Sequence, residues 1–429
     1  MMATLTAPVV RYGLNARLGR EADRREARSV EGERGQVGAQ FANGEADRSH
    51  AAYDERRPQK PVASGAIVIA AGGTGGHFFP AEALACELVA RGRHIVLMTD
   101  ARSNGLQNAA FANAERYVIR GAGIAGRGLW RSANAVLALA GGVAQARGIF
   151  ANIRPVLVVG FGGYPSIAPV LATKLLRWQP MVLLHEQNAV LGRANRFLSR
   201  FADVMALSFA ATTHAPRNSS AVVTGNPVRP AIVALADRPY VPPVDAISLL
   251  VLGGSLGARV FSDKVPPALA ALPEGLRGRL TVTQQCRPED LDRVRAAYAA
   301  SGIAADLAPF FSDVAERLAA AHLVIARAGA STVSELAVAG RPSILVPLPG
   351  AIDDHQAANA RALAEARGAS VMAQRDFTSD ALSQRLTALL SEPDMLAHAA
   401  RAARSIACAD ATARLADLAE DLMRQESPA

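Results

Sequence analysis

The sequence predicts an α/β chain folded as two Rossmann-like domains facing a central cleft. Three observations predict it. Short apolar runs of the kind that fill a buried strand alternate with helical patterns from Ser64 onward, the order that produces a parallel, doubly wound sheet. The series occurs twice, each time opening with a strand that runs into a glycine loop and a helix: AIVIAA into GGTGGHFFP (66–80), and ISLLVLGGSLGAR (247–259). Between the two lies a proline-rich stretch, RPYVPPVD (238–245), and 429 residues are more than one ordinary core organises.

Residues 1–62 precede this pattern. They are dominated by Arg, Glu, Asp, Gly and Ala, lack apolar periodicity and close on RPQKP, so they read as a disordered N-terminal extension without a functional role, or as sequence upstream of the true start. Frequent acidic residues argue against a transit peptide. The first domain is expected over 65–228. Its strand AIVIAA leads to the helix AEALACELVARG, which ends on Gly92, and to the strand HIVLMT. VLVVGFGGYPS (156–166), MVLLHEQN (181–188), ADVMALS (202–208) and AVVTGNPVRP (221–230) follow. Residues 229–245 read as a linker. The second domain is expected over 246–405, with RLTVTQQ (279–285), HLVIARAGASTVSELAVAG (322–340) and PSILVPLPG (342–350), and residues 406–429 as a C-terminal helix.

The formal net charge of +8 suits nucleic acid, anionic lipid or phosphorylated substrates alike. Aromatic residues make up only 5% and no basic-aromatic stripe occurs, so nucleic acid is not the expected partner. Cys86, Cys286 and Cys408 are too far apart in sequence to form a metal-type or redox pair, which fits a reduced cytosolic compartment. Asn, Gln or Arg interrupts each apolar run before the ~18 residues of a spanning helix, so membrane contact is expected to be peripheral.

Strand-to-helix glycine loops occur at 72–76, 160–163 and 253–257. Such a loop exposes free backbone N–H groups at the positive end of a helix, and glycine lets the backbone approach a phosphate closely. None has the GxGxxG spacing with a later acidic ribose binder, and none carries the GK[ST] of a P-loop. The set suits a diphosphate donor and a phosphorylated acceptor.

The segments GGTGGHFFPAEALA, GFGGYPS, LHEQNAVLGRANRFLSRFA, TGNPVR, LGGSLGAR, ARAGASTVSELAVAGRPSILVP and DDHQAANA occur in this order. Together, over about residues 65 to 425, the chain resembles the MurG family of UDP-N-acetylglucosamine transferases, which convert lipid I to lipid II in peptidoglycan synthesis. The resemblance implies a GT-B fold, inversion at the anomeric carbon, and chemistry without a metal or other cofactor. It also implies UDP-N-acetylglucosamine as donor, undecaprenyl-linked lipid I as acceptor, and peripheral attachment to the anionic cytoplasmic face of the inner membrane. Leu256 stands where the family commonly has Gln, and Ala328 where Ser is common. Alternatives are a diacylglycerol glycosyltransferase, a UDP-sugar 2-epimerase, or a non-catalytic subunit that binds a UDP-sugar.

The resemblance places Thr74, Gly75 and Gly76 beside the donor sugar and acceptor phosphates; the alternative is a plain turn. His77, at the following helix start, is the catalytic candidate, accepting a proton or pairing with phosphate, with a structural cap as the alternative. Asn188 is assigned to the donor sugar, while His185 and Glu186 before it are expected to hold the strand end. Arg229 is a counter-ion for the UDP diphosphate, since Arg recognises phosphate bidentately; otherwise it is a solvated linker charge. Ser255 offers a hydroxyl to a phosphate, and the backbone of Phe311 corresponds to one that reads the uracil edge. In ARAGASTVSE, the residues Ala330, Ser331, Thr332, Val333, Ser334 and Glu335 are assigned to the donor, Glu335 holding the ribose hydroxyls or else stabilising the first helical turn. Gln356, with His355 beside it, is expected to read sugar hydroxyls. Asp353 and Asp354 resemble a metal pair only superficially. Finally, Ile124, Leu129 and Trp130 with Arg127 and Arg131 form an apolar cluster in a basic rim, either a shallow membrane dock or an ordinary helix with a polar loop.

Overall fold

A computed structural model of the chain describes residues 65–72, 75–101, 111, 114–119, 129–215, 220–254 and 257–426. The expected N-terminal extension and the candidates Thr74, Ser255, Ile124 and Arg127, together with Leu256, lie outside the described residues.

Among the described residues the chain builds two all-parallel sheets. The first comprises β1 (Ile67–Ala70), β2 (Ile95–Thr99), β3 (Glu115–Val118), β4 (Leu157–Gly160), β5 (Met181–Glu186), β6 (Val204–Leu207) and β7 (Ala221–Val223), ordered β3-β2-β1-β4-β5-β6-β7. The second comprises β8 (Ile247–Leu252), β9 (Leu280–Gln285), β10 (Ala304–Ala308), β11 (Leu323–Ala326), β12 (Ser343–Leu345) and β13 (Ala369–Val371), ordered β10-β9-β8-β11-β12-β13. Each is the doubly wound order of a Rossmann domain, as expected. The central strands are sealed on both faces: all four β1 side chains are fully buried, and β8 places Ile247, Leu249 and Val251 in one core layer and Leu250 in the other. That is why they read as continuous apolar runs.

The strand order reverses between β1 and β4, and again between β8 and β11. The glycine loops at 72–76 and 160–163 leave β1 and β4, the loop at 253–257 leaves β8, and the turn through Gly329 leaves β11. A topological switch point leaves a crevice at the carboxyl ends of the strands, where open α/β sheets bind ligands. The helix Gly75–Ala90 begins inside the first loop and stops as the sequence suggests, with Gly92 at φ +75°.

Three features differ from expectation. The stretch 229–245 is not a free linker: Ile232 and Leu235 are buried in the core of the second domain beside Leu336 and Val338. The chain end returns to the first domain, where Leu415, Ala416, Ala419, Leu422 and Met423 of the helix Ala411–Glu426 join its core, and Glu420 accepts from Arg91 at 3.2 Å and Arg93 at 2.7 Å. On its way back the chain passes Gly225, which sits at φ +82°. Cys408 Sγ donates to the Thr224 carbonyl at 3.2 Å, and a Cβ on Gly225 would stand 2.6 Å from that sulfur.

The third difference concerns the helix Leu129–Ile153. Its stretch Ala135–Ile153 is long and apolar enough to cross a membrane by length and composition, with mean hydropathy 1.3, correcting the expectation that every run would be interrupted. Gln145, Arg147 and Asn152 are too few to bring the mean below the range of a spanning helix. One face of the helix, with Ala146 and Phe150, packs into the first domain, as a covering helix of a parallel sheet does.

Candidate active site

Residues from both halves meet across the crevice. At the end of β5 the buried Glu186 carboxylate accepts from the backbone N–H and the Nδ2 of Asn188 at 3.0 and 3.1 Å, and from Gly192 N–H and Asn195 Nδ2, both at 2.9 Å. A carboxylate satisfied four times can stay buried. Glu186 therefore shapes the loop that presents Asn188, as expected of a residue that holds the strand end. His185, also buried, donates from Nε2 to the Gly225 carbonyl at 3.2 Å and serves the same end.

The Asn188 amide is oriented from the opposite domain. Its Oδ1 accepts from Asn359 Nδ2 at 3.1 Å, while Asn359 Oδ1 accepts from Ala189 N–H at 2.8 Å and Nδ2 also reaches the Ala328 carbonyl at 3.2 Å. Asn359, fully buried in the helix His355–Glu365, thus ties the two domains together. Only its motif, DDHQAANA, signalled it; the residue itself was missed. Since Ala328 contributes a carbonyl here, its departure from the family's usual Ser leaves this contact intact.

Arg229 and Glu335 meet on the second domain, where the helix that Arg229 caps packs beside the Glu335 helix. Arg229 donates from Nε and Nη2 to the two Glu335 oxygens at 2.9 and 3.0 Å, a bidentate pair. This corrects both readings in part. Arg229 is neither a solvated linker charge nor wholly free for a diphosphate, because one edge of its fork is engaged by a carboxylate. Glu335 is the sixth residue of the helix Ala330–Ala339, beyond the first turn, so it is not a cap. Burial raises its pKa, and the charge and hydrogen bonds of Arg229 oppose that rise.

The start of the same helix supplies donors. Gly329 is the N-cap, and Val333 N–H makes a helical bond back to it at 3.0 Å, so the N–H groups of Ala330, Ser331 and Thr332 belong to the first turn, where a helix leaves them open. The Ser331 hydroxyl is buried without a partner among the described residues. Val333 packs into the core and can contribute only backbone, and Ser334 is half-buried on the next position. Gln356 accepts through Oε1 from Leu348 N–H at 2.9 Å, leaving its amide N–H groups for a ligand, and His355 Nδ1 bonds the Ile352 carbonyl at 2.8 Å. Phe311 is buried with the Arg317 guanidinium 3.9 Å above its ring, so its backbone is what remains for recognition. The Asp353 carboxylate faces Arg193 at 3.4 Å and Arg196 at 2.7 Å, and both arginines hold its pKa down.

On the first domain, Gly75 and Gly76 open the helix and His77 is its third residue. His77 Nδ1 lies 2.9 Å from the Phe161 carbonyl and 2.9 Å from Gln187 Oε1, so the first and second glycine loops touch through this ring. Tyr164 in the second loop donates its hydroxyl to the Asp100 carboxylate at the end of β2. Neither Gln187 nor Tyr164 was singled out from sequence, though both stand in quoted motifs. Leu129, Trp130 and Arg131 begin the Leu129–Ile153 helix, away from this cluster in sequence; the rest of the expected dock lies outside the described residues.

Comparison with known proteins agrees with the two-domain fold. Residues 67–207 match the glycosyltransferase family 28 N-terminal domain and residues 248–422 the glycosyltransferase family 28 C-terminal domain. Over 356 residues the chain is 62% identical to the UDP-N-acetylglucosamine--N-acetylmuramyl-(pentapeptide) pyrophosphoryl-undecaprenol N-acetylglucosamine transferase of Granulibacter bethesdensis, covering 82% of this chain and 93% of that protein. The transferase of the same name from Acidiphilium cryptum is 56% identical over 352 residues, 82% of this chain and 95% of its own. The crystal structure of MurG from Acinetobacter baumannii superposes with a TM-score of 0.67 at 34% identity, covering 83% of this chain and 99% of that one. A UDP-GlcNAc 2-epimerase from Neisseria meningitidis, covering 82% of this chain and 98% of its own, reaches 0.58 at 9% identity, a likeness of fold alone.

Proposed function

This chain belongs to glycosyltransferase family 28, and from that premise we propose that it transfers N-acetylglucosamine from UDP-N-acetylglucosamine to the muramyl 4-hydroxyl of undecaprenyl-pyrophosphoryl-N-acetylmuramyl-pentapeptide. The observation that carries this reading is the meeting of both halves at one crevice, where Asn359 of the second domain bonds Asn188 and Ala189 of the first. Similarity to transferases of this name spans both of those halves.

The acceptor hydroxyl attacks the anomeric carbon from the face opposite UDP, giving a β linkage. His77, between the two glycine loops of the first domain, assists that hydroxyl or holds the acceptor diphosphate; general-base help of this kind is typically worth ~10²–10⁴-fold. The UDP leaving group is stabilised by the open N–H groups of Ala330, Ser331 and Thr332 at a helix start, and by the edge of Arg229 not engaged by Glu335. Glu335 holds the ribose, Asn188 and Gln356 the sugar, and the Phe311 backbone the uracil. Turnover of UDP-N-acetylglucosamine with a short-chain lipid I analogue tests the reading. UDP and a disaccharide product are expected. Binding of the donor without transfer would leave a UDP-sugar-binding subunit, and transfer to diacylglycerol instead would change the acceptor.

The acceptor is lipid-linked, so the first domain works at the cytoplasmic face of the inner membrane as a peripheral enzyme. The Leu129–Ile153 helix supports this: Val136 and Leu137 are 65% and 69% exposed on its outer face, apolar surface suited to the acyl boundary of an anionic leaflet. Fully burying one such side chain is worth roughly 1.5–3 kcal/mol. Val136→Glu combined with Leu137→Glu is therefore expected to lower partitioning onto anionic vesicles at least tenfold in co-sedimentation, while transfer to a soluble acceptor analogue persists. Parental partitioning of the double variant would remove this face from the dock.

A further inference from the structure

The carbonyl oxygen of Phe161 can only accept hydrogen bonds. Two side chains reach it, His77 through Nδ1 and Gln187 through Nε2, each at 2.9 Å. This orients the Gln187 amide, since turning it over would press one oxygen against another. Its own oxygen then faces His77 Nδ1 at 2.9 Å, and its second N–H faces Nδ1 of the buried His185 at 3.2 Å. A ring nitrogen set between two acceptors carries a proton, and one that receives an N–H carries none. His77 is therefore protonated on Nδ1 and, as a neutral ring, bare on Nε2. His185 is the reverse, bare on Nδ1 and donating from Nε2 to the Gly225 carbonyl. Burial drives the His185 pKa down to about 4; the Gly225 hydrogen bond opposes this and the nearby His77 adds to it. That ring stays neutral at physiological pH, as the pattern requires.

The bare Nε2 of His77 makes no hydrogen bond among the described residues. It lies beside Gly163 of the second glycine loop, where a Cβ on that glycine would stand 3.9 Å from it. We propose that Gln187 is a positioning residue: held by the Phe161 carbonyl and His185, its amide fixes the His77 ring with the bare Nε2 directed at the second glycine loop, so that this nitrogen can take a proton from the acceptor hydroxyl. The proposal deepens the transferase reading and rests on it for the identity of that hydroxyl. Which nitrogen of an imidazole is free is decided by the hydrogen bond the other one makes. With Gln187 gone, His77 Nδ1 keeps only a carbonyl, and the ring can turn or exchange its tautomer.

Ring-¹⁵N-labelled histidine in the full chain reports which imidazole nitrogen bears the proton, and His77→Ala identifies the His77 signals among the eight histidines. The parent is expected to show His77 with Nδ1–H and a bare Nε2. Gln187→Leu is expected to mix the two tautomers and to lower kcat roughly tenfold with KM for UDP-N-acetylglucosamine unchanged. Gln187→Glu keeps an acceptor opposite Nδ1 but loses the N–H groups given to the Phe161 carbonyl and His185, so it is expected to restore the parental tautomer and only part of kcat. A parent that carries its His77 proton on Nε2 overturns the proposal without any Gln187 variant having to fold. A Gln187→Leu protein with parental tautomer overturns it too, whether its kcat is parental or falls as far as that of Gln187→Glu. Failure of the parent to transfer N-acetylglucosamine strikes the transferase reading alone, and the nitrogen spectrum still decides the positioning role.

Discussion

Replacement of His77 by alanine is expected to lower kcat roughly a hundredfold while leaving KM for UDP-N-acetylglucosamine near its parental value. The expectation follows from position. The ring bridges the first and second glycine loops of the first domain through contacts of 2.9 Å to the Phe161 carbonyl and to Gln187. Glu335 and Gln356, the residues proposed for the donor, sit on the other domain. Losing a proton acceptor removes stabilisation that exists only in the transition state, so kcat and kcat/KM fall together. If the ring instead pairs with the acceptor diphosphate, the acceptor KM rises and kcat largely survives. Steady-state kinetics with each substrate varied in turn separate the two, and parental constants for both would leave His77 as a structural link between loops. A bare Nε2 favours the base.

Glu335→Ala is expected to raise KM for UDP-N-acetylglucosamine by between about 10- and 150-fold, the equivalent of roughly 1.5–3 kcal/mol for hydrogen bonds to a charged group. In this structure the carboxylate does two things. It accepts both Arg229 bonds, and it remains an acceptor for hydroxyls on its other lone pairs. Its loss therefore also frees Arg229 from its partner, and an Arg229→Ala protein serves as the control. If Glu335 acts only by holding Arg229, both single variants should raise the donor KM equally and the double variant should add nothing. A larger effect at Glu335 marks direct contact with the ribose. An unchanged donor KM in Glu335→Ala would end its assignment to the donor.

The two Rossmann-like domains were legible because their central strands are buried on both faces and so appear as unbroken apolar runs. Three of the four edge strands were not. β3 reads ERYV, β10 AADLA and β13 ASV, each at least partly exposed and paired on one side only, so nothing in their composition marks them. The site shows the same division. Glycine loops and motif residues could be read along the chain, but the pairings could not: Arg229 and Glu335 are 106 residues apart, and Asn188 and Asn359 are 171 apart. The stretch 229–245 looked like a linker because it is rich in proline. Ile232 and Leu235, spaced for one helical face, were the signal that it belongs to a core.

The chain passes between its domains near Gly225 on the outward journey and near Cys408 on the return, and these two passages touch. One body joined to another by a single strand can swivel about many axes. Joined at two neighbouring points, it has one easy motion left, a rotation about the line between them. The cleft is thus built like a book with a sewn spine: its covers part by varying one angle, and each closing returns the same lines of facing pages to register. A side chain at Gly225 would act as a wedge in that spine, displacing the seam on which this alignment depends.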